Sequence, residues 1–196
     1  MRAVFLIAMA YLCGSLPIGV WVGGWVGIDI RQAGSGNIGA TNVTRTAGAR
    51  AGLLTLLGDL AKGALPAALA RLLLTDPWLT ALTAVAAVCG HLFSVFLHFS
   101  GGKGVATAFG AFVLLTPAAA VCSAVLFALV AVTTHYVSLA SMLAALALPV
   151  VAVVFGYPAP LCGAATVVAG GIVLRHRANL VRLWHGVEPR FRIHRR

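Results

Sequence analysis

Apolar residues run in long blocks along this chain, and polar residues gather in short bands between them. The first block, Ala3–Ile28, holds 26 residues without a charge. A polar band rich in Gly, Asn, Thr, Ser and Arg follows, Asp29–Gly52. Apolar blocks then cover Leu53–Leu74, closed by Thr75-Asp76-Pro77, and Trp78–Phe99, before a short loop, Ser100–Gly104. From Gly104 to Leu174 there is no Asp, Glu, Lys or Arg. The breakers Thr116-Pro117, Thr134-His135-Tyr136 and Gly156–Pro160 divide that stretch into Val105–Leu115, Ala118–Thr133, Val137–Phe155 and Leu161–Leu174. A membrane-crossing helix takes about 20 apolar residues. The blocks therefore predict an all-α polytopic membrane bundle of about seven transmembrane helices. Pro17 should kink the first of them. Val105–Leu115 is short for a full span and is expected to be tilted, kinked through Pro117 or partly re-entrant.

Composition narrows the class. Of 196 residues, 61% are hydrophobic and 9% charged, against roughly 25% charged in average soluble domains. One domain, residues 1–196, is expected, with a basic tail over 175–196. The first block exceeds the roughly 7–15 apolar residues of a signal peptide, so a retained helix is expected. The formal net charge is +10. In a soluble protein that excess would point to nucleic acid; here the cations flank apolar blocks, which points to topology instead. With the N-terminus outside and the C-terminus cytoplasmic, the inner face receives Arg31, Arg45, Arg50, Lys62, Lys103, Arg175, Arg177, Arg182, Arg190, Arg192, Arg195 and Arg196. The outer face keeps Arg2 and Arg71. Cys13, Cys89, Cys122 and Cys162 sit inside apolar blocks without paired spacing, as small apolar filler. The acids Asp29, Asp59, Asp76 and Glu188 are too scattered for a carboxylate dyad, and neither a metal site nor a cofactor is expected.

That topology puts four polar patches on one membrane face, where a substrate with one polar and one greasy end would meet them. The first is Gly34–Gly48, GSGNIGATNVTRTAG. Its glycines let backbone come close to a ligand, and successive N–H groups can form an anion nest. Ser35, Gly36, Asn37, Gly39, Thr41 and Asn42 are the candidate contacts, and Arg45 offers a bidentate phosphate fork. The bland alternative is a flexible loop with a topogenic arginine. No Walker sequence is present, which disfavours a nucleoside triphosphate. The second patch, Gly101–Thr107 (GGKGVAT), sets Lys103 between Gly102 and Gly104 at a helix start, where anions bind; a tight turn is its rival reading. Ser138 and Ser141 share a helix face and are either ligands or backbone-satisfied. His176 and Asn179 stand among cations at the start of the tail. Asp59 and Lys62, one turn apart, either neutralise each other or floor the site. His91 and His98 flank one helix end and are expected to be packed or interfacial. His185 and His194 have no assigned role.

These patches together resemble the bacterial membrane acyl-phosphate:glycerol-3-phosphate acyltransferases, the PlsY family. The matching runs are GSLPIG (14–19), GSGNIGATNVTRTAG (34–48), GDLAKG (58–63), GGKGVAT (101–107), YVSLAS (136–141) and RHRAN (175–179), in the expected order along essentially the whole chain. Ser94, Ser100 and His135 depart from the family's usual proline, basic residue and arginine. The resemblance implies a seven-helix inner-membrane enzyme with its site at the cytoplasmic face. It would move a fatty acyl group from acyl phosphate to the 1-hydroxyl of glycerol 3-phosphate, giving lysophosphatidic acid and phosphate. The soluble acyl-phosphate synthase PlsX would supply the donor, and membrane lipid would surround the site. Arg45, Lys103, His176 and Ser141 are then the candidate catalytic residues. Ser35, Gly36, Asn37, Gly39, Thr41, Asn42, Gly102, Gly104, Ser138 and Asn179 are the candidate substrate contacts. Acyl phosphate is an activated mixed anhydride, so positioning and charge stabilisation should suffice. No histidine is followed five residues later by an acid, which removes a His-x4-Asp mechanism. The proton acceptor is either His176 or a substrate phosphate. Two other classes compete: a carrier of a phosphorylated solute, whose polar groups should lie nearer the midplane, and a structural lipid-binding protein, which would leave the glycine-bordered cations unexplained.

Overall fold

The computed structural model describes residues 1–191. Arg192, Arg195 and Arg196, counted above toward the inner face, and His194 lie outside the described residues. Among those described there is no strand. The elements in order are α1 (Arg2–Ser15), α2 (Ile18–Trp25), α3 (Ala40–Ala47), α4 (Ala49–Leu73), α5 (Pro77–Leu92), a 3₁₀ turn (Val95–Leu97), α6 (Val105–Leu115), α7 (Pro117–Thr134), α8 (Val137–Val154), α9 (Ala159–Arg175) and α10 (Arg177–Trp184).

The chain is small inside and large outside. Ala84, Ala87, Ala111, Ala119 and Ala165 are fully buried, while Leu72, Val132 and Val154 are more than two-thirds exposed. Water would not tolerate that outer surface, and hydrocarbon favours it. Small residues let the backbones touch, as membrane interfaces require. A Cβ on Gly14 would strike the Ala87 carbonyl and one on Gly90 the Tyr11 carbonyl, which locks α1 against α5. Gly63 and Gly110 do the same for α4 and α6.

Among the described residues, five segments are long and apolar enough to cross a bilayer: Arg2–Trp25, Ala49–Leu73, Pro77–Leu97, Pro117–Thr134 and Val137–Val154. A sixth arises if α9 and α10, bent by 58°, form one. α6 has 11 residues; at 1.5 Å per residue it rises only roughly 16 Å, about half the hydrocarbon core. Pro17 breaks the first span rather than merely kinking it. The carbonyls freed there find partners: Lys62 Nζ donates to Leu16 O at 2.8 Å and Ser94 Oγ to Ser15 O at 2.5 Å. Ser94, one of the departures noted above, thus has a structural task. The polar band before α4 also differs from a plain loop, because Ala40–Ala47 is helical. Val43 explains it: fully buried with Val22, Ile30 and Ala51, it anchors a helix that composition alone does not favour.

Candidate active site

Segments distant in sequence meet at one end of the bundle around a cavity of about 930 Å³. The band before α4, the Lys103 loop, the start of α8 and the tail all contribute to its polar end. Its other end runs between α6, α7, α8 and α9 and is lined by groups such as Phe109, Phe112, Phe127 and Leu148. Arg71 marks the opposite end of the molecule, where it donates to Leu114 O at the C-terminus of α6 at 2.7 Å.

Arg45 and Lys103 line the same cavity. Arg45 is exposed on the last turn of α3. Lys103 is held from several sides. Gly101 N donates to Leu92 O at 3.2 Å and Gly102 N to His91 O at 3.0 Å. Arg175 grips the carbonyls of Gly101 and Gly102, the second through Nε at 3.1 Å. Gly104 takes the left-handed conformation, φ +80°, that turns the chain into α6. Lys103 Nζ donates to Asn179 Oδ1 at 2.5 Å. Burial, helped by Arg182, Arg175 and Arg45 and opposed by Glu188, lowers its pKa to about 8.

Beyond Asn179 lies a carboxylate. Glu188 Oε1 accepts from Asn179 Nδ2 at 2.7 Å and from Ser138 Oγ at 2.6 Å; its Oε2 accepts from Arg182 Nε at 2.7 Å. Burial alone would raise this carboxyl, but the three donors outweigh it and hold it below the ordinary glutamate value. The segment carrying it is pinned by Phe191 N, which donates to His135 O at 2.8 Å. His176 is buried, and its Nδ1 lies 2.8 Å from Ile172 O. That contact places the proton on Nδ1 and leaves Nε2 as acceptor. Burial, with Lys103 close by, lowers its pKa to about 4, so the ring is neutral near pH 7.

Of the candidate residues, Ser35, Asn37, Gly39, Thr41, Asn42, Arg45, Lys103, Gly104, Ser138, Ser141, His176 and Asn179 line the cavity. Gly36 and Gly102 do not; Gly36 turns the loop with φ +69°, and Gly102 leaves room for the His91 ring. Asn42 touches the cavity, yet its side chain serves the loop. Oδ1 accepts from Ser35 N at 2.9 Å, and Nδ2 donates to Ala33 O at 3.0 Å and Asn37 O at 2.9 Å. Ser141 Oγ donates to Val137 O at 2.8 Å, the backbone-satisfied alternative, while still facing the cavity. Asp59 and Lys62 do pair, at 3.1 Å, the neutralising alternative; Asp59, but not Lys62, also lines the cavity.

A family model described as glycerol-3-phosphate acyltransferase matches residues 4–186. A glycerol-3-phosphate acyltransferase of Geobacter sulfurreducens is 44% identical over 98% of this chain and 99% of its own length. One from Aquifex aeolicus is 41% identical over 97% of this chain and 100% of its own. The crystal structure of PlsY, an integral membrane glycerol 3-phosphate acyltransferase in its glycerol 3-phosphate form, superposes with a TM-score of 0.94. It is 40% identical over 98% of this chain and 96% of that one. Its lysophosphatidic acid form gives 0.92. The chain belongs to the glycerol-3-phosphate acyltransferase family. Sequence reasoning left Arg175, Arg182, Glu188 and His91 out of this acyltransferase's site, although all four line the cavity. Glu188 carried a signal, as the one acid in an otherwise basic tail.

Proposed function

We propose that this acyltransferase takes its acyl group from acyl phosphate and delivers it to the 1-hydroxyl of glycerol 3-phosphate, releasing lysophosphatidic acid and inorganic phosphate. The observation that carries the reading is the shape of one cavity: cations at a polar rim, Arg45 and Lys103 among them, and an apolar interior between helices. Two phosphoryl groups need cations between them, and an acyl chain needs a dry channel. Arg45 and Lys103 hold the phosphates in this reading. Ser35, Asn37 and Thr41 line the rim beside them, and Asn179 sets the ammonium through its 2.5 Å bond. Ser141 and Ser138 lie on the facing wall.

The hydroxyl oxygen forms a bond to the acyl carbonyl carbon, the carbonyl–phosphate bond breaks, and its electron pair leaves on phosphate. The hydroxyl proton ends on the released phosphate. A neutral imidazole with a pKa near 4 is a weak base, so a substrate phosphate oxygen accepts the proton and His176 offers Nε2 for a hydrogen bond. His176→Gln should therefore retain activity within about tenfold, since general base catalysis contributes 10²–10⁴.

The chain acts as one membrane-embedded domain of seven apolar helices, N-terminus outside and C-terminus cytoplasmic, in the bacterial inner membrane with the cavity opening inward. The lysine and arginine bias supports that orientation, and a soluble acyl-phosphate synthase such as PlsX would load the donor from the same side. Purified protein given acyl phosphate and glycerol 3-phosphate, without added metal or thioester, should release phosphate and form lysophosphatidic acid. Turnover with an acyl thioester but not with acyl phosphate would overturn the donor assignment.

A further inference from the structure

Two cavity-lining groups have no part in the phosphate reading. Asp59, on α4, and His91, on α5, have side chains 4% and 3% exposed, yet both reach the cavity wall. They belong to one buried network. Lys62 Nζ lies 3.1 Å from Asp59 Oδ1. His91 Nδ1 lies 3.6 Å from that same oxygen and 3.2 Å from the Thr107 hydroxyl, one turn into α6 beyond Lys103. The other ring nitrogen abuts Gly102, whose missing side chain is what admits it. Lys62 also donates to Leu16 O at the break of the first helix, so the network runs from the end of α1 to α6.

A carboxylate repels phosphate and would weaken a cavity that bound only phosphate. A carboxylate and an imidazole do suit a hydroxyl, which can donate to one and accept from or donate to the other. The acceptor of the proposed reaction carries two hydroxyls: the one that attacks, and its neighbour on the middle carbon. Once the bound acceptor has displaced water, the second must find a partner, or its desolvation opposes binding. We propose that Asp59 and His91 recognise the middle hydroxyl of glycerol 3-phosphate and make it a condition of fast turnover. Thr107 acts through His91 as a positioning residue that fixes the ring. This inference rests on the function proposed above and assigns the specificity of the same site.

The test compares two acceptors on the full-length protein with acyl phosphate as donor. These are glycerol 3-phosphate and 3-hydroxypropyl phosphate, which keeps the phosphate and attacking hydroxyl but lacks the middle one. The wild type should favour glycerol 3-phosphate in kcat/KM by about tenfold or more, the scale of one hydrogen bond to a charged group. His91→Phe should lower both rates and collapse the ratio toward one; Thr107→Val should lower the ratio in part. A fault of folding or membrane insertion lowers both rates together and leaves the ratio alone. If His91→Phe does not accumulate, Asp59→Asn and Thr107→Val carry the same comparison. A wild type that uses the two acceptors within about twofold overturns the inference without any variant. A preference that survives unchanged in the variants also overturns it. A wild type that acylates neither acceptor overturns the proposed function itself.

Discussion

The two glycine-bordered cations are built by opposite means. Arg45 stands on a segment that folds mostly upon itself. The Asn42 amide ties Ser35, Ala33 and Asn37, which lie five to nine residues away, and Val43 anchors the short helix below. Lys103 stands on a loop that makes almost nothing of its own. Its backbone is fixed by the end of α5, by Arg175 from α9, and by Asn179 from α10. One cation is exposed and locally supported; the other is half-buried and supported from across the chain. Field strength rises as water is excluded, so the buried cation should matter more to chemistry and the exposed one more to capture.

The largest expected effect separates them. Lys103→Ala should cost about 10³-fold in kcat, the scale of a lost preorganised charge donor. Arg45→Ala should raise the KM for glycerol 3-phosphate more than it lowers kcat. Raising ionic strength should also weaken glycerol 3-phosphate binding in the wild type, because an exposed charge is screened. Steady-state kinetics in two salt concentrations check this. Equal kcat losses, or an unaltered salt response in Arg45→Ala, would erase the distinction.

A middle-sized effect tests the local support. Asn42→Ala strands one backbone donor and several carbonyls, at about 1–3 kcal/mol. That cost falls on the Arg45 segment alone, so KM should rise about tenfold while thermal unfolding of the bundle stays close to wild type. Arg175→Ala strands the carbonyls of the other loop and should lower kcat instead. If both variants moved KM and kcat alike, the two segments would be one cooperative unit.

The same contrast explains what could be read along the chain. Val105–Leu115 is bounded as expected because Gly104 and Thr116-Pro117 are unambiguous punctuation, and because an uncharged stretch leaves few alternatives. The polar end was legible wherever glycine, lysine and arginine lie together in sequence. α3 was not, since Thr and Asn give a weak helix signal and the burial of Val43 is a tertiary fact. Glu188 was legible only as a lone acid in a basic tail, not as a member of the site. Its partners are 50 residues away at Ser138, nine away at Asn179 and six away at Arg182, and no local pattern announces that α8 and α10 will aim three donors at one carboxylate. Asn42 shows the converse: its residue type was noticed, but its use as a backbone staple depends on where the loop turns.

The smallest effect joins the two cations. Lys103 is charged below its pKa of about 8, and that value lies under the ordinary 10.5 because burial disfavours the ammonium, with Arg182, Arg175 and Arg45 adding to it against Glu188. Anion capture by Lys103 is full well below pH 8 and is lost as pH rises through it. kcat/KM should therefore fall on the alkaline side with a midpoint near 8, and Lys103→Arg should flatten that limb, because guanidinium stays protonated. Arg45→Ala removes a positive neighbour, so the limb should move to higher pH. The move should be slight, since Arg45 ranks behind burial, Arg182 and Arg175 among the influences that lower the ammonium. A limb that moved to lower pH would place Arg45 where it stabilises the ammonium, which no cation facing the same cavity can do.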